Sequence, residues 1–145
     1  MHVRPAQESD RAAWLEMRRT LWPDPDYSLE EFQEQITDFI ARGVAFIAFE
    51  GDVPVGFAEV SLRPYAEGCK SSPVAFLEGW FVAEAHRGRG VGRALLERVE
   101  QWGREQNCTE LGSDTWLDNL DSQRAHEKLG FEEVERLVSF RKSLE

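Results

Sequence analysis

The chain has 145 residues, 41% of them hydrophobic, with five Trp and nine Phe, and it suits a single compact domain over residues 1–145. Its formal net charge of −10 disfavours nucleic acid and anionic membranes as partners and suits a cationic small molecule, although acidity also serves solubility. No apolar run reaches the roughly 20 residues that span a bilayer, and no secretory signal opens the chain, which predicts a cytoplasmic protein.

The first part of the chain predicts a short strand followed by two helices. Apolar residues at helical spacing follow Ser9-Asp10, which is a typical helix cap. Ser28, with Glu31 three residues later, resembles a capping box and opens the second helix, which ends at Gly43. The predicted elements are a strand at residues 2–4 and helices at residues 11–21 and 28–43.

The remaining chain predicts strands and helices around a glycine-rich segment. Gly56 is a candidate bulge in a hairpin, and Gly130 ends the last helix. The predicted elements are strands 44–49 and 53–62, a loop 63–73, a strand 74–82, a helix 91–106, a strand 109–114, a helix 122–129 and a strand 131–141. The order β-α-α-β-β-β-α-β-α-β has no internal repeat and indicates an α/β (α+β) fold, a mixed sheet flanked by helices.

The glycine-rich segment Arg87-Gly88-Arg89-Gly90-Val91-Gly92-Arg93 lies between an apolar strand and an amphipathic helix. Glycine permits positive φ and close approach of the backbone, so successive N–H groups there and at the helix N-terminus can bind a phosphate. A plain glycine-rich turn is the alternative. The spacing differs from the Gly-x-Gly-x-x-Gly of a Rossmann site, and the acidic balance disfavours an RGG-type nucleic-acid segment.

This central strand and Arg87-x-x-Gly90-x-Gly92, followed by a helix and a later Leu129-Gly130-Phe131, resemble the GNAT superfamily of acyl-CoA-dependent N-acetyltransferases. The resemblance spans most of the chain and implies a central, mostly antiparallel mixed sheet with about four helices. Segments spread along the chain look like bacterial aminoglycoside 6′-N-acetyltransferases, most distinctively the run from Ser71-Ser72-Pro73 to Glu78-Gly79.

The resemblance implies acetyl-CoA as co-substrate. Backbone amides of the glycine-rich segment are then expected to bind its pyrophosphate, and the backbone of β-strand residues after Glu78 to pair with its pantetheine arm. Asn119 matches a further cofactor contact. The expected contacts are Trp80, Phe81, Val82, Arg87, Gly88, Arg89, Gly90, Val91, Gly92, Arg93 and Asn119.

The resemblance also implies a cationic acceptor, an aminoglycoside, which carboxylates recognise. Glu78, Asp114 and Glu135 fit this role, because an ionised carboxylate within an apolar strand needs a partner. Glu78 is in addition the candidate base, although charge pairing lowers a carboxyl pKa and loss of the proton to water is the alternative. Trp22 and Tyr65 match aromatic residues that line the acceptor site. Glu135 could instead pair with Arg136, and Trp22 could belong to the core.

His126 stands where many GNAT enzymes have a tyrosine that protonates the thiolate. An imidazole could do so, but a thiolate is also stable enough to leave unaided, and packing or cofactor contact are other roles for this ring. Cys69 and Cys108 have no CxxC spacing and are expected to be free thiols, and the three histidines show no grouping that predicts a metal site.

The expected reaction is transfer of the acetyl group of acetyl-CoA to the 6′-amino group of an aminoglycoside by direct attack in a ternary complex. Two alternatives remain open. One is a GNAT enzyme for a polyamine, peptide or other cellular amine, and the other is a non-catalytic acyl-CoA-binding module. The family and the aromatic terminal segment also make a homodimer plausible.

Overall fold

The computed structural model describes all residues 1–145, which form two compact units, Met1–Ser113 and Asp114–Glu145. The first unit contains β1 His2–Pro5, α1 Arg11–Leu21, α2 Leu29–Ile40, β2 Gly43–Glu50, β3 Val53–Arg63, β4 Val74–Val82, α3 Val91–Glu105 and β5 Leu111–Ser113, and the second contains α4 Leu120–Lys128. The five strands form one sheet in the order β1-β2-β3-β4-β5. All neighbours are antiparallel except β4 and β5, so the predicted mixed, mostly antiparallel sheet is confirmed.

The two predicted helix caps differ in outcome. The Ser28 hydroxyl accepts a hydrogen bond from the Glu31 backbone N–H at 3.2 Å, as the capping box requires. Asp10 precedes α1, but its carboxylate accepts from the Gln7 backbone N–H at 2.7 Å and pairs with Arg4. The prediction of a side-chain cap there was wrong, because an extra 3₁₀ turn at Glu8–Asp10 brings a closer N–H and a guanidinium to that carboxylate.

Helices cover both faces of the first unit's sheet. On one face α1 and α2 bury Trp14, Ile36 and Phe39 against Phe57. On the other face α3 lies so close to the strands that a Cβ on Gly56 would lie 3.2 Å from Leu95. No helix combines the length and the hydropathy that crossing a bilayer requires.

A β-bulge in β4 determines which side chains share a face of the sheet. Glu59 is opposite Gly79 and Val60 is opposite Leu77, so Glu78 is the extra residue in the ladder. Without the bulge, Glu78 and Gly79 would point to opposite faces. Instead Glu78 bonds to Ser61 and Gly79 contacts Trp22, so both lie on the α1/α2 face.

A second bulge lies in the β2–β3 hairpin, one residue from the predicted position. Ala48 is opposite Gly56 and Phe49 is opposite Pro54, so Val55 is the extra residue. Gly56 has a different constraint, since a Cβ there would lie 2.6 Å from the Phe81 carbonyl oxygen. The glycine therefore marks a close approach of β4 rather than the bulge itself.

A buried ion pair links α1 to β3. Glu59 is completely buried, and its carboxylate accepts from Arg18 Nε at 2.5 Å and from Arg18 Nη2 at 3.0 Å. The Trp14 indole N–H donates to the same carboxylate at 2.9 Å. Arg18 also donates to Gln35 of α2 at 2.8 Å, so this one network holds both helices to the strand.

The second unit consists of α4 and an irregular C-terminal segment. Asn119 caps α4 by accepting from the Ser122 N–H at 3.1 Å. Gly130 has φ +99°, and the Phe131 N–H donates to the His126 carbonyl, which is a Schellman motif. The predicted strand over 131–141 was wrong. The apolar residues of this segment favour a strand, but a strand requires a partner, and residues 114–145 contain no other strand.

Replacement of Glu59 by Ala should leave the Arg18 charge buried and unpaired. We expect the free energy of unfolding to fall by about 3 to 5 kcal/mol. Urea denaturation followed by circular dichroism measures this loss. The matched control is Glu97→Ala on the exposed face of α3, which should change stability by less than about 0.5 kcal/mol. Equal losses in both variants would contradict the structural role of the pair.

Candidate functional site

The Glu78 carboxylate is the best-defined polar group at the β4 bulge. Its Oε1 accepts from Ser61 Oγ at 2.7 Å and from Arg63 Nε at 3.0 Å, and its Oε2 accepts from Arg63 Nη2 at 2.7 Å. Arg42 lies 3.7 Å from Oε1. Ser61 and Arg63 reach Glu78 because alternate residues of β3 face α1 and α2, and the bulge turns Glu78 to the same face.

These contacts decide the protonation state of Glu78. Burial by itself raises the pKa of this carboxyl, but the hydrogen bonds from Arg63 and Ser61 and the charges of Arg63 and Arg42 outweigh it. The pKa therefore lies below its ordinary value. A carboxylate held in this way is a weak base and a good binding group for a cation.

Trp22 packs on Gly79, the residue after Glu78. A Cβ on Gly79 would lie 2.6 Å from the indole Cη2, so this contact requires glycine at position 79. The Arg18 guanidinium lies 4.9 Å from the ring centroid, and Phe57 makes an edge contact. Trp22 is still 38% exposed, which suits a residue that lines a site better than a residue of the core.

Tyr65 lies in the loop between β3 and β4 and is 65% exposed. Glu110 anchors that loop, since its carboxylate accepts from the backbone N–H groups of Lys70 and Ser71 at 2.8 and 2.7 Å. The Ser71 hydroxyl also donates to this carboxylate, and it and the backbone N–H groups keep the pKa of Glu110 below its ordinary value. Glu110 therefore fixes the loop at Lys70 and Ser71, five and six residues after Tyr65.

Beyond the bulge, β4 has an open edge at residues 79–82. The parallel ladder with β5 ends at Leu77 and Ser113, while β4 continues to Val82. The Ala83 N–H donates to the Val55 carbonyl at 2.8 Å, and by strand alternation the Phe81 backbone faces β3 as well. The backbone groups of Trp80 and Val82 point the other way. The open edge therefore favours these two residues over Phe81 as partners of an extended ligand.

The glycine-rich segment has the backbone that the sequence predicted. Gly88 has φ +77° and Gly90 has φ +85°, and both positions border open space. Because α3 begins at Val91, the N–H groups of its first turn have no partners within the helix. The Trp80 indole N–H donates to the Gly92 carbonyl at 3.1 Å, and this hydrogen bond joins β4 to the segment. The backbone, the helix N-terminus and Arg89 and Arg93 fit the pyrophosphate of CoA.

One arginine of this segment has a structural role. Arg87 Nε donates to the Val82 carbonyl at 2.9 Å, which ties the start of the segment to the end of β4. Its guanidinium holds the turn that leads into the segment, in addition to any contact with phosphate.

The second unit contains the remaining predicted residues. Asp114 is exposed and follows β5 directly, and the Asn119 side chain caps α4. The His126 Nδ1 lies 2.7 Å from the Ser122 carbonyl, and its ring packs edge-on against Phe131. A carbonyl only accepts, so Nδ1 carries a proton in this contact.

Glu135 is exposed, and Arg136 pairs with Glu133, so the alternative in which Glu135 pairs with Arg136 is wrong.

Sequence reasoning missed Ser61 and Arg63, which hold Glu78. The available signal was the alternation Glu59-x-Ser61-x-Arg63, three polar residues on one face of an otherwise apolar strand. The sequence also does not predict the contact between the Arg18 guanidinium and the Trp22 ring.

Comparison with known proteins identifies the family. Residues 10–131 match the Acetyltransferase (GNAT) family. The chain is 48% identical to an aminoglycoside N(6′)-acetyltransferase type 1 of Stenotrophomonas maltophilia, over 99% of this chain and 94% of that protein. It is 46% identical to a protein of the same name from Klebsiella aerogenes, over 98% and 96% of the two chains.

Solved structures agree in fold. An aminoglycoside antibiotic 6′-N-acetyltransferase from Acinetobacter haemolyticus aligns over 100% of both chains with a TM-score of 0.93 and 36% identity. The enzyme AAC(6′)-Iy, in complex with the bisubstrate analogue CoA-S-monomethyl-acetylneamine, aligns over 98% of this chain and 97% of its own with a TM-score of 0.91 and 37% identity. The chain therefore belongs to the acetyltransferase (GNAT) family, and it is similar over its whole length to the aminoglycoside 6′-N-acetyltransferases.

Proposed function

We propose that this protein transfers the acetyl group of acetyl-CoA to the 6′-amino group of an aminoglycoside by direct attack in a ternary complex. One observation carries the proposal: the bulge where the open edge of β4 begins brings the ionised Glu78 and Gly79, on which the exposed Trp22 packs, to one face of the sheet. An acceptor bound at Glu78 thus lies next to the strand segment that suits a thioester. The relatives' names and the CoA-containing complex of AAC(6′)-Iy support the same reaction.

The chain's own groups bind and activate the co-substrate. Acetyl-CoA supplies a thioester carbonyl that an amine can attack. The amides of the glycine-rich segment and of the first turn of α3 bind its phosphates, and the backbone groups of Trp80 and Val82 bind its extended arm. A backbone N–H at the open edge stabilises the negative charge that develops on the carbonyl oxygen.

The acceptor is bound by carboxylates. Glu78 and, by the resemblance, Asp114 and Glu135 contact its ammonium and hydroxyl groups, while Trp22 and Tyr65 line the sugar rings. The attacking amine first loses a proton. Since its pKa is lowered, Glu78 is a weak base, and we propose that the proton is lost through water to the bulk solvent. The sulfur departs as a thiolate, which is stable enough to leave unaided, and His126 is the candidate group to protonate it.

Acetylation removes a positive charge from the drug, and we propose antibiotic resistance as the outcome. The proposal puts the protein in the cytoplasm, where acetyl-CoA is made. Residues 1–145 act in it as one functional domain, since the family match from 10 to 131 runs across both compact units.

The reaction is tested by thiol release from acetyl-CoA over aminoglycosides with a 6′-amino group, matched compounds with a 6′-hydroxyl, polyamines and peptides. We expect turnover only with the 6′-amino compounds, and NMR of the product should find the acetyl group on that nitrogen. Thiol release with polyamines alone would favour the cellular-amine enzyme, and tight acetyl-CoA binding without turnover would favour the binding module.

The acceptor residues are tested in the same assay. Glu78→Gln and Asp114→Asn should each lower kcat/KM for kanamycin about tenfold to 100-fold, the loss expected for a hydrogen bond to a charged group. Glu97→Gln removes an exposed carboxylate of α3 and should have no effect. Wild-type rates in the Glu78 variant would contradict the assigned acceptor site.

The phosphate-binding segment is tested with two glycines of similar geometry. Gly90 has φ +85° and Gly51, in the β2–β3 turn, has φ +60°, and both border open space. Alanine should destabilise either position by about 1 to 2 kcal/mol. Only Gly90→Ala should raise the KM for acetyl-CoA, by about fivefold or more. An equal rise in KM in Gly51→Ala would mean that the segment has no specific part in binding.

We further propose a homodimer that forms through residues 131–145. This segment exposes five large apolar side chains, and such a group usually marks an interface. The five are Val134, Leu137, Val138, Phe140 and Leu144. Residues 114–145 contain no strand that could pair with this segment, and a second copy supplies a partner.

Sedimentation equilibrium tests the dimer, since one chain has a mass of 16.6 kDa. The wild type should sediment at about twice that mass, and Phe140→Asp should shift it to the monomer. Val53→Asp, at the exposed first residue of β3, is the control and should leave the mass unchanged. A monomeric wild type would overturn the dimer but not the proposed reaction.

A further inference from the structure

Glu78 already has a cationic partner in this chain. Arg63 contacts both carboxylate oxygens, at 3.0 and 2.7 Å, and Ser61 donates a third hydrogen bond. The expectation that a buried carboxylate at this position needs a cationic ligand is therefore met from within the protein. An acceptor that binds Glu78 therefore meets a carboxylate that is already bonded to Arg63.

Charge argues against an acceptor ammonium simply joining this cluster. The cationic groups within 4 Å of the Glu78 carboxylate are Arg63 and Arg42. One negative charge thus faces two positive charges, so the cluster carries a local excess of positive charge. A further ammonium group brought to Glu78 with both arginines in place would be repelled.

The geometry allows Arg63 to leave. Its side chain is 38% exposed, compared with 14% for Glu78, and it is the last residue of β3. The guanidinium also lies 3.6 Å from the centroid of the Phe76 ring, so part of its stabilisation is independent of Glu78. Ser61 is buried and continues to hold Oε1 when Arg63 moves.

We propose that Arg63 occupies the position of an acceptor ammonium at Glu78, and that the acceptor binds by exchanging with it. The inference rests on the proposed function and adds a specificity-determining residue to it. In the free protein Arg63 keeps a mostly buried carboxylate paired. A compound contacts the Glu78 carboxylate only if it carries a cation that replaces the guanidinium. Uncharged sugars therefore do not bind at Glu78.

The test measures the Kd of kanamycin by isothermal titration calorimetry, which requires no turnover. Arg63→Gln removes the competing charge and keeps a hydrogen-bond donor, and we expect kanamycin to bind about fivefold more tightly, the factor for one partly exposed ion pair. Arg98→Gln is the matched control. It makes the same change in net charge at a residue that stacks on Phe46 and should leave the Kd unchanged.

A second pair of variants ties the effect to Glu78. In a Glu78→Gln background there is no carboxylate to release, so Arg63→Gln should no longer tighten binding. Thermal melting of each variant confirms that it is folded, and Arg63→Lys, which keeps the charge, should bind like the wild type if Arg63→Gln fails to fold.

Unchanged or weaker binding in Arg63→Gln would overturn the exchange and make Arg63 a residue that only positions Glu78. A persistent gain in the Glu78→Gln background would overturn it as well, since the effect would then be independent of that carboxylate. The proposed function fails separately, through absence of acetyl transfer by the wild type. A wild type that acetylates kanamycin while Arg63→Gln binds it no better refutes the exchange alone.

Discussion

The bulge at Glu78 is the constraint on which the site depends. Regular pleating would send Glu78 and Gly79 to opposite faces of the sheet. With one extra residue in β4, both face α1 and α2, while Trp80 turns to α3 and supports the glycine-rich segment. One strand thereby serves two functions over three residues. Glu78, the proposed acceptor contact, lies on one face, and Trp80, which bonds to the glycine-rich segment, lies on the other.

Two carboxylates on this face are each paired with an arginine, and the two pairs differ in burial. Glu59 and Arg18 are almost completely buried, and their network continues to α2, so that pair is a permanent part of the structure. Glu78 and Arg63 lie at the rim, and Arg63 is more than a third exposed. The same chemistry thus stabilises the fold at one position and leaves an exchangeable charge at the other. Arg18 links the two pairs, because its guanidinium also stacks on Trp22, which packs on Gly79 next to Glu78 in the chain.

Much of the fold follows from local sequence. The strand before the glycine-rich segment has the predicted bounds, because a nine-residue apolar run between turn signals has few alternatives. Gly88 and Gly90 have the predicted positive φ, and the Leu129-Gly130-Phe131 motif forms the predicted helix stop. These features depend on residues that are neighbours in the chain.

What depends on pairing between distant segments was not predictable in this way. The bulge at Glu78 is a property of β3 and β4 together, so its consequence for Ser61 and Arg63 cannot be read from either strand alone. The terminal residues 131–141 include apolar residues typical of a strand, but composition does not supply a partner. The direction of the Phe81 backbone depends on such pairing as well, since it follows from the hydrogen bond between Ala83, directly after β4, and Val55 of β3.

A crystal structure of the protein with CoA and kanamycin tests the role of the bulge most directly. The account predicts that the sugar lies on the α1/α2 face with an ammonium group at Glu78, and that the pantetheine arm follows β4 with hydrogen bonds to Trp80 and Val82. A regular β4 ladder with Glu78 turned towards α3, or kanamycin bound away from the α1/α2 face, would contradict it.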